Sequence, residues 1–122
     1  MGFDALYGLE LIDCSDSVVR GTVPVRSELT QGAGRVHGGV YSAISEALAC
    51  SGTDAGIGGD GRFAAGLSNL TTMLHPITAG TIHATAVRRH RGRTTWVWEV
   101  ELVDDEQRPC AVARVTVAVR DP

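Results

Sequence analysis

The chemistry that this sequence could perform is concentrated in one short segment. The segment begins with a glycine-rich run, Gln31-Gly32-Ala33-Gly34-Arg35-Val36-His37-Gly38-Gly39. Eight residues after Gly38 comes Glu46, the only charged residue between Gly38 and Gly52. If Gly38 and Gly39 open a helix, their N–H groups lack intrahelical partners and lie at the positive end of the helix dipole. The spacing therefore predicts donors that could hold a developing oxyanion, with a carboxylate two turns further into the helix.

The residues after this run predict the helix itself. Gly38–Ser51 carries apolar residues at helical spacing and contains no proline. An amphipathic helix would point Glu46 to solvent, but a solvated face normally carries several charges, so we expect a sheltered carboxylate. For the run before the helix, a glycine-rich loop with a capping histidine is an equally good explanation from spacing alone.

The rest of the chain predicts β-strands. Trp96, Trp98, Val100 and Leu102 alternate with more polar residues, which is the period of a half-buried strand. Pro24 would lie near a sheet edge or at the end of its strand. The predicted strands are Tyr7–Asp13, Val18–Val25, Ala64–Leu74, Thr81–Arg89, Arg93–Asp104 and Arg108–Arg120. Two strands, one helix and four strands predict an α+β fold in which a curved antiparallel sheet wraps around one long central helix.

Composition limits the function classes. The 122 residues predict one domain spanning residues 1–122, and the net charge of −3 argues against a nucleic-acid binder. No apolar run is long enough to cross a bilayer, and the three cysteines form no CxxC pair, so we expect a cytoplasmic protein. His75 and His83 are too far apart, and too poorly matched with carboxylates, to predict a metal site.

Three features together resemble a known family. They are Val36-His37-Gly38-Gly39-Val40, Glu46 after it, and Gln31 seven residues before Gly38. This pattern resembles the hotdog-fold acyl-CoA thioesterases, in the branch with the Glu-type hydroxybenzoyl-CoA, phenylacetate-pathway (PaaI-like) and enterobactin-proofreading thioesterases. The resemblance covers essentially the whole chain, since it continues through His90-Arg91-Gly92-Arg93, Trp98-Glu99-Val100 and Asp104-Asp105-Glu106.

The resemblance implies a reaction and an assembly. Glu46 would be the nucleophile or the general base at a thioester carbonyl, the Gly38 N–H would polarise the carbonyl oxygen, and Gln31 and His37 would surround the thioester. The products would be free acid and coenzyme A, from an aryl or arylacetyl thioester by resemblance, with neither metal nor redox cofactor. The family forms homodimers whose sheets join edge to edge, often paired into tetramers, with the active site between two subunits.

Substrate-binding residues follow partly from the resemblance and partly from charge. Gly39 lies beside the donor, and Cys50 stands where relatives commonly carry the Ser or Thr that places water, so Ser51 or Ser42 would substitute for it. All 11 basic residues are arginines, which suit phosphates. Arg91 or Arg93 at the hairpin tip would contact the coenzyme A phosphates.

One detail departs from the family pattern: Thr72 occupies the place of an asparagine that many relatives carry four residues before Pro76. Arg62 is a weaker candidate than Arg91 or Arg93 for contact with the coenzyme A phosphates. Cys50 itself is a poor candidate for a nucleophile, because it lies late in its helix, where the dipole disfavours a thiolate.

Three alternatives stay open at the sequence level. Hotdog hydratases and dehydratases also act on acyl thioesters, but they use a histidine and an acid in a different arrangement, whereas Glu46 lies on the helix that Gly38 opens. A non-catalytic acyl-CoA binding module is kept open by Cys50. A carrier-protein thioester could also replace the coenzyme A thioester as substrate.

Overall fold

The computed structural model describes residues 2–122. A short helix α1 and a single turn of 3-10 helix accompany one long helix α2 and six strands. In chain order these are α1 (Phe3–Leu6), β1 (Glu10–Cys14), β2 (Val18–Pro24), the 3-10 turn (Ser27–Leu29), α2 (Gly38–Gly56), β3 (Phe63–Met73), β4 (Thr81–Arg91), β5 (Thr95–Val103) and β6 (Pro109–Arg120).

The six strands form one open antiparallel sheet in the order β1-β2-β4-β5-β6-β3. Helix α2 contacts every strand of the sheet, so it is the central element around which the sheet is arranged. The predicted α+β architecture, with one long helix against an antiparallel sheet, is confirmed as the hotdog fold. Strands β1 and β3 are the two edges, and Pro24 is the last residue of β2, where its missing N–H removes no hydrogen bond within the strand.

Alternation along β5 and β6 builds the core. The predicted inward-facing residues of β5, including Trp96 and Trp98, are all buried. They pack against Ile44 and Leu48 of α2 in one hydrophobic cluster. Trp98 also donates from Nε1 to Thr53 Oγ1 at 3.0 Å, so its indole N–H stays satisfied in the core.

The helix boundaries differ from the sequence prediction. Helix α2 continues to Gly56, five residues beyond the predicted end at Ser51. Gly52 lies inside the helix, at the point where the Trp98 ring approaches the helix backbone, so this glycine does not mark the helix end. Helix α1 and the 3-10 turn were not predicted, since each is too short to show a helical period.

No helix among residues 2–122 combines the length and hydropathy needed to cross a membrane.

Candidate active site

The start of α2 gives two neighbouring N–H groups different roles. His37 is the N-cap residue, in an extended backbone conformation, and its Nδ1 accepts the Gly39 N–H at 2.9 Å. The Val40 N–H donates to the His37 carbonyl at 2.9 Å. Between them, the Gly38 N–H has no hydrogen-bond partner within residues 2–122. Gly38 is therefore the free donor at this helix start, and Gly39 is already engaged by the cap.

The capping bond also fixes the chemistry of the His37 ring. Because Nδ1 accepts a hydrogen bond from the Gly39 N–H, a neutral His37 carries its own proton on Nε2. The ring is exposed, so this Nε2–H is available as a donor beside the helix start.

Gln31 is held close to the helix start by a tight loop. Its N–H donates to the Arg35 carbonyl at 2.8 Å, and its carbonyl accepts the Gly34 N–H at 2.9 Å. Gly34 has a φ of 79°, the left-handed conformation that this loop requires and that glycine adopts without strain. The predicted pair of Gln31 and Gly38 thus lines a single cavity of about 290 Å³.

Among the other residues that line the same cavity are Tyr41, Met73 and His75, which were not predicted as site residues. Tyr41 is buried, and its hydroxyl is the one buried side-chain oxygen without a hydrogen-bond partner in the part of the chain that the structure describes. Burial raises the pKa of the Tyr41 hydroxyl, so it is a neutral group at physiological pH. The Met73 thioether lies over Gly38, where a Cβ would come within 2.9 Å of the methionine Cε.

Glu46 lies two turns further along α2, against strand β3. A Cβ built on Gly66 of β3 would come within 3.0 Å of the Glu46 carboxylate carbon, so glycine leaves the space that this side chain occupies. The Glu46 carboxylate has no hydrogen-bond or ionic partner among residues 2–122, and the residue is exposed. The expectation of a sheltered carboxylate is therefore wrong for the single chain, because β3 and α1 lie beside Glu46 but leave it exposed.

Cys50 lies one turn beyond Glu46, in a cavity of about 280 Å³ that both residues line with Phe3 and Asp4 of α1. Burial, with a further contribution from the Glu46 charge, raises the pKa of the Cys50 thiol to about 11. The thiol is thus protonated at neutral pH, which agrees with the prediction that Cys50 is a poor nucleophile. The adjacent Ser51 is half-buried.

A third and larger cavity, of about 710 Å³, lies on the side of His37 and Gly39. Its apolar wall includes Phe3 and Leu6 of α1, both exposed. Arg26 donates to the Leu6 carbonyl at 2.6 Å and so holds α1 beside the cavity.

The arginine candidates separate by their contacts. Arg91 donates to Asp16 at 2.8 Å and to the Gly56 carbonyl at 2.9 Å, and its guanidinium lies 4.5 Å from the Trp96 ring centroid. Arg91 is thus occupied in joining the end of α2 to β4, and the structure does not support it as a phosphate contact.

The other two arginine candidates differ in the same way. Arg62 pairs with Asp60 at 3.0 Å. Arg93 is exposed and has no ionic partner within residues 2–122, so it is the candidate still available to an anion.

No group of His, Cys, Asp and Glu side chains among residues 2–122 is arranged to hold a metal ion. The three cysteines are free thiols, of which Cys14 is exposed and Cys110 is buried.

Comparison with known proteins adds a family to this geometry. A family model described as the thioesterase superfamily matches residues 33–111 of the chain. The protein Rv1847 of Mycobacterium tuberculosis is 35% identical over 115 residues, which cover 93% of this chain and 82% of the relative. Its solved structure has a TM-score of 0.95 at 32% identity and covers 100% of this chain and 98% of the other.

Two further relatives have informative names. A 1,4-dihydroxy-2-naphthoyl-CoA hydrolase of Listeria monocytogenes is 32% identical over 124 residues, covering 98% of this chain and 97% of the relative. The Staphylococcus aureus thioesterase SAV0944 has a TM-score of 0.93 at 26% identity, covering 96% of this chain and 97% of the other. Its solved structures include one variant with a glutamine replaced by alanine and one with a glutamate replaced by alanine.

Proposed function

This chain belongs to the thioesterase superfamily and is a thioester hydrolase, and from that premise we propose that it cleaves an acyl-CoA thioester, with an aryl or arylacetyl acyl group. The observation that carries this proposal is the free Gly38 N–H and the unpartnered Glu46 carboxylate on one helix. The Listeria relative supports the aryl group, since its name specifies a naphthoyl-CoA thioester. The Staphylococcus thioesterase has been crystallised with a glutamine and with a glutamate replaced, which are the residue types of Gln31 and Glu46.

The proposed mechanism uses the groups at the helix start to stabilise the oxyanion. The thioester carbonyl oxygen accepts from the Gly38 N–H, while the Gln31 amide and the His37 Nε2–H orient the thioester beside it. Negative charge develops on that oxygen as the tetrahedral intermediate forms, and one such donor typically contributes about 10²–10³ in rate. Gly39 acts indirectly, by keeping the His37 ring in place through its N–H.

Glu46 supplies the second half of the chemistry. As a general base it takes a proton from water as the water oxygen bonds to the carbonyl carbon; the carbon–sulfur bond then breaks, and the coenzyme A sulfur receives the proton. As a nucleophile it forms an acyl anhydride, expels the thiolate and is regenerated by water. Both routes give one free acid and one coenzyme A. The neutral Cys50 thiol and Ser51 lie one turn away, where they would border the water.

We propose that a second copy of the chain completes the site. Along α2 the eight residues from Gly38 to Glu46 rise about 12 Å, while an attacked carbonyl must lie within about 3 Å of its donor. A second helix running antiparallel would bring its Glu46 towards this Gly38. The exposed edge strand β3, with exposed Leu67 and Leu70, is the surface available for such a partner. We also propose that two such dimers pair to form a tetramer.

Coenzyme A binding is assigned to Arg93, which has no competing ionic partner within residues 2–122. The free thiols Cys14, Cys50 and Cys110 suit a reducing compartment, so we propose that the enzyme acts in the cytoplasm. No metal or redox cofactor is needed by the proposed mechanism.

A thioesterase assay tests the proposal. The wild-type protein is incubated with benzoyl-CoA, phenylacetyl-CoA and straight-chain acyl-CoAs, and free thiol is measured. We expect the aryl thioesters to be cleaved with the highest kcat/KM, and Glu46→Gln to lower kcat by about 10³-fold, as expected for loss of a general base. Glu101→Gln is the matched control, because Glu101 is exposed on the outer face of the sheet.

Two results would contradict the proposal: cleavage of no thioester by the wild type, or full activity in Glu46→Gln. Addition of water to an enoyl-CoA without thioester cleavage would favour the hydratase alternative. Binding of coenzyme A esters by calorimetry without turnover would favour a binding module, and cleavage of an acylated carrier protein alone would change the substrate.

A further inference from the structure

Strand β3 runs beside the line along α2 from Gly38 to Glu46, the two residues that carry the proposed catalytic groups. At one end of this line the Met73 thioether covers Gly38, and at the other Gly66 leaves space for the Glu46 carboxylate. Gly38 and Glu46 are two turns apart on α2, so they lie on one face, and β3 runs along that face. Within residues 2–122, strand and helix share one side-chain hydrogen bond along this line, at its midpoint.

That hydrogen bond comes from Asn69. Its Nδ2 donates to the Ser42 carbonyl at 2.9 Å. The Thr71 hydroxyl donates to Asn69 Oδ1 at 2.7 Å, which identifies the amide oxygen and so directs the Nδ2 towards the helix. In an α-helix the Ser42 carbonyl is also the acceptor for the N–H of the residue four positions later, Glu46. Asn69 therefore donates to the same carbonyl oxygen that accepts the Glu46 backbone N–H.

The other polar contacts between the sheet and α2 lie near the C-terminal end of the helix. Trp98 donates to Thr53, the Ala64 N–H donates to Asp54, and Arg91 donates to the Gly56 carbonyl. In the part of the chain that the structure describes, Asn69 is the only sheet residue whose side chain hydrogen-bonds α2 before Thr53. The turn that carries Glu46 is thus joined to the sheet by one side-chain hydrogen bond.

We propose that Asn69 is a positioning residue, which fixes the rotation of the α2 turn bearing Glu46 against β3, with Thr71 holding the Asn69 amide in its orientation. This inference rests on the proposed function of Glu46. A carboxylate displaced by about 1 Å can slow a reaction by up to about 10²-fold, although no group that touches substrate has been removed.

The test compares two variants with a matched control. Asn69→Asp keeps the size of the side chain but removes the donor and places a carboxylate oxygen against the Ser42 carbonyl. Thr71→Val removes the hydroxyl that orients the amide. Thr85→Val makes the same substitution in β4, where the side chain lines the outer face of the sheet.

Kinetics with the best acyl-CoA provide the first measurement. We expect Asn69→Asp to lower kcat by about 10- to 100-fold with KM changed less than about twofold, and Thr71→Val to have a smaller effect in the same direction. Thr85→Val should match the wild type. In a Glu46→Gln background, Asn69→Asp should cause no further loss, because Asn69 acts through Glu46. An unchanged kcat in Asn69→Asp, or an equal loss in both backgrounds, would overturn the inference.

Amide hydrogen exchange separates this inference from the proposed function. Asn69→Asp should increase exchange at the Glu46 N–H by about tenfold or more and leave the turn around Thr53 unchanged. If the wild type cleaves no thioester, the proposed function fails, while exchange still decides whether Asn69 holds this turn. Equal protection at Glu46 in the wild type and in Asn69→Asp would overturn the inference whatever the activity. Should Asn69→Asp fail to fold, Thr71→Val gives the same comparison.

Discussion

At the scale of single residues, the helix start distinguishes two adjacent glycines by the use of their N–H groups. Gly39 is bonded to the His37 ring, and only Gly38 keeps a free N–H. Since a donor stabilises an oxyanion only if it is unoccupied and already in place, the proposed oxyanion role falls to Gly38 and not to Gly39. One N–H is left for one oxygen, and the ring that caps its neighbour adds the His37 Nε2–H beside it.

Reactivity at Cys50 should reveal its buried position. Because burial and the Glu46 charge raise the pKa of the Cys50 thiol to about 11, its thiolate fraction at pH 8 is about one in a thousand. The rate of alkylation by iodoacetamide should rise about tenfold per pH unit up to pH 10, as measured by mass spectrometry of the Cys50 peptide. For a short reduced peptide containing this cysteine, the alkylation rate should level off near the ordinary pKa of a cysteine thiol. A plateau below pH 9 in the folded protein would contradict the assignment.

Sequence reasoning could propose candidate site residues only where they stand close together along the chain. Gln31, Gly38 and Glu46 lie in one segment, so their spacing reports on their placement. Tyr41 and Asn69 were missed, because the role of each depends on neighbours from elsewhere in the fold. No period in the sequence shows that Asn69 lies opposite the Ser42 carbonyl, which is 27 residues away.

At the scale of secondary-structure elements, α2 packs so closely against the sheet that a glycine in the helix marks a point of contact. A Cβ on Gly52 would lie 2.8 Å from Val19 Cγ2 and closer still to the Trp98 ring. Alanine normally favours a helix over glycine by about 1 kcal/mol, but overpacking a core costs about 1–3 kcal/mol. We therefore expect Gly52→Ala to lower the free energy of unfolding, measured in urea.

The control for this prediction is Gly59→Ala, because a Cβ at Gly59 would meet no atom within 4 Å. That variant should unfold within about 0.5 kcal/mol of the wild type. A stabilised Gly52→Ala would mean that the indole does not approach the helix as described.

The same glycine explains which element boundary was wrong. A glycine after an apolar helical pattern ordinarily indicates a helix end, so the predicted helix stopped before Gly52. Close packing against Trp98 requires glycine here inside the helix instead. The strands were predicted more accurately, since alternation along β5 and β6 comes directly from one buried and one exposed face.

At the scale of the whole molecule, the chain leaves the Glu46 carboxylate and the β3 edge of the sheet exposed. Glu46 is exposed, and strand β3 is an edge with exposed apolar side chains such as Leu67, Leu70 and Met73. Exposed apolar edge strands are sites of pairing with another chain. A second copy on this edge would cover the apolar residues and bring a second α2 close to the first. A single interface would then account for both the exposed apolar edge and the exposed Glu46.

Complementation between two inactive variants tests this arrangement. Gln31→Ala and Glu46→Gln should each be nearly inactive alone. If Gln31 and Gly38 of one chain act with Glu46 of the other, a mixed dimer contains one site with all its native residues. Random mixing makes half of the dimers mixed, so about a quarter of the wild-type activity should return after unfolding and refolding the variants together.

The controls fix the meaning of that number. Each variant refolded alone should stay inactive, and mixing the two without unfolding should restore activity only as fast as the subunits exchange. Light scattering should show at least a dimer, because a monomer could not share a site. If the mixture stays inactive although mixed dimers are detected by two different tags, then each site is built within one chain. Gly38 and Glu46 would then have to reach the same thioester across two turns of one helix, and the role assigned to the β3 edge would be wrong.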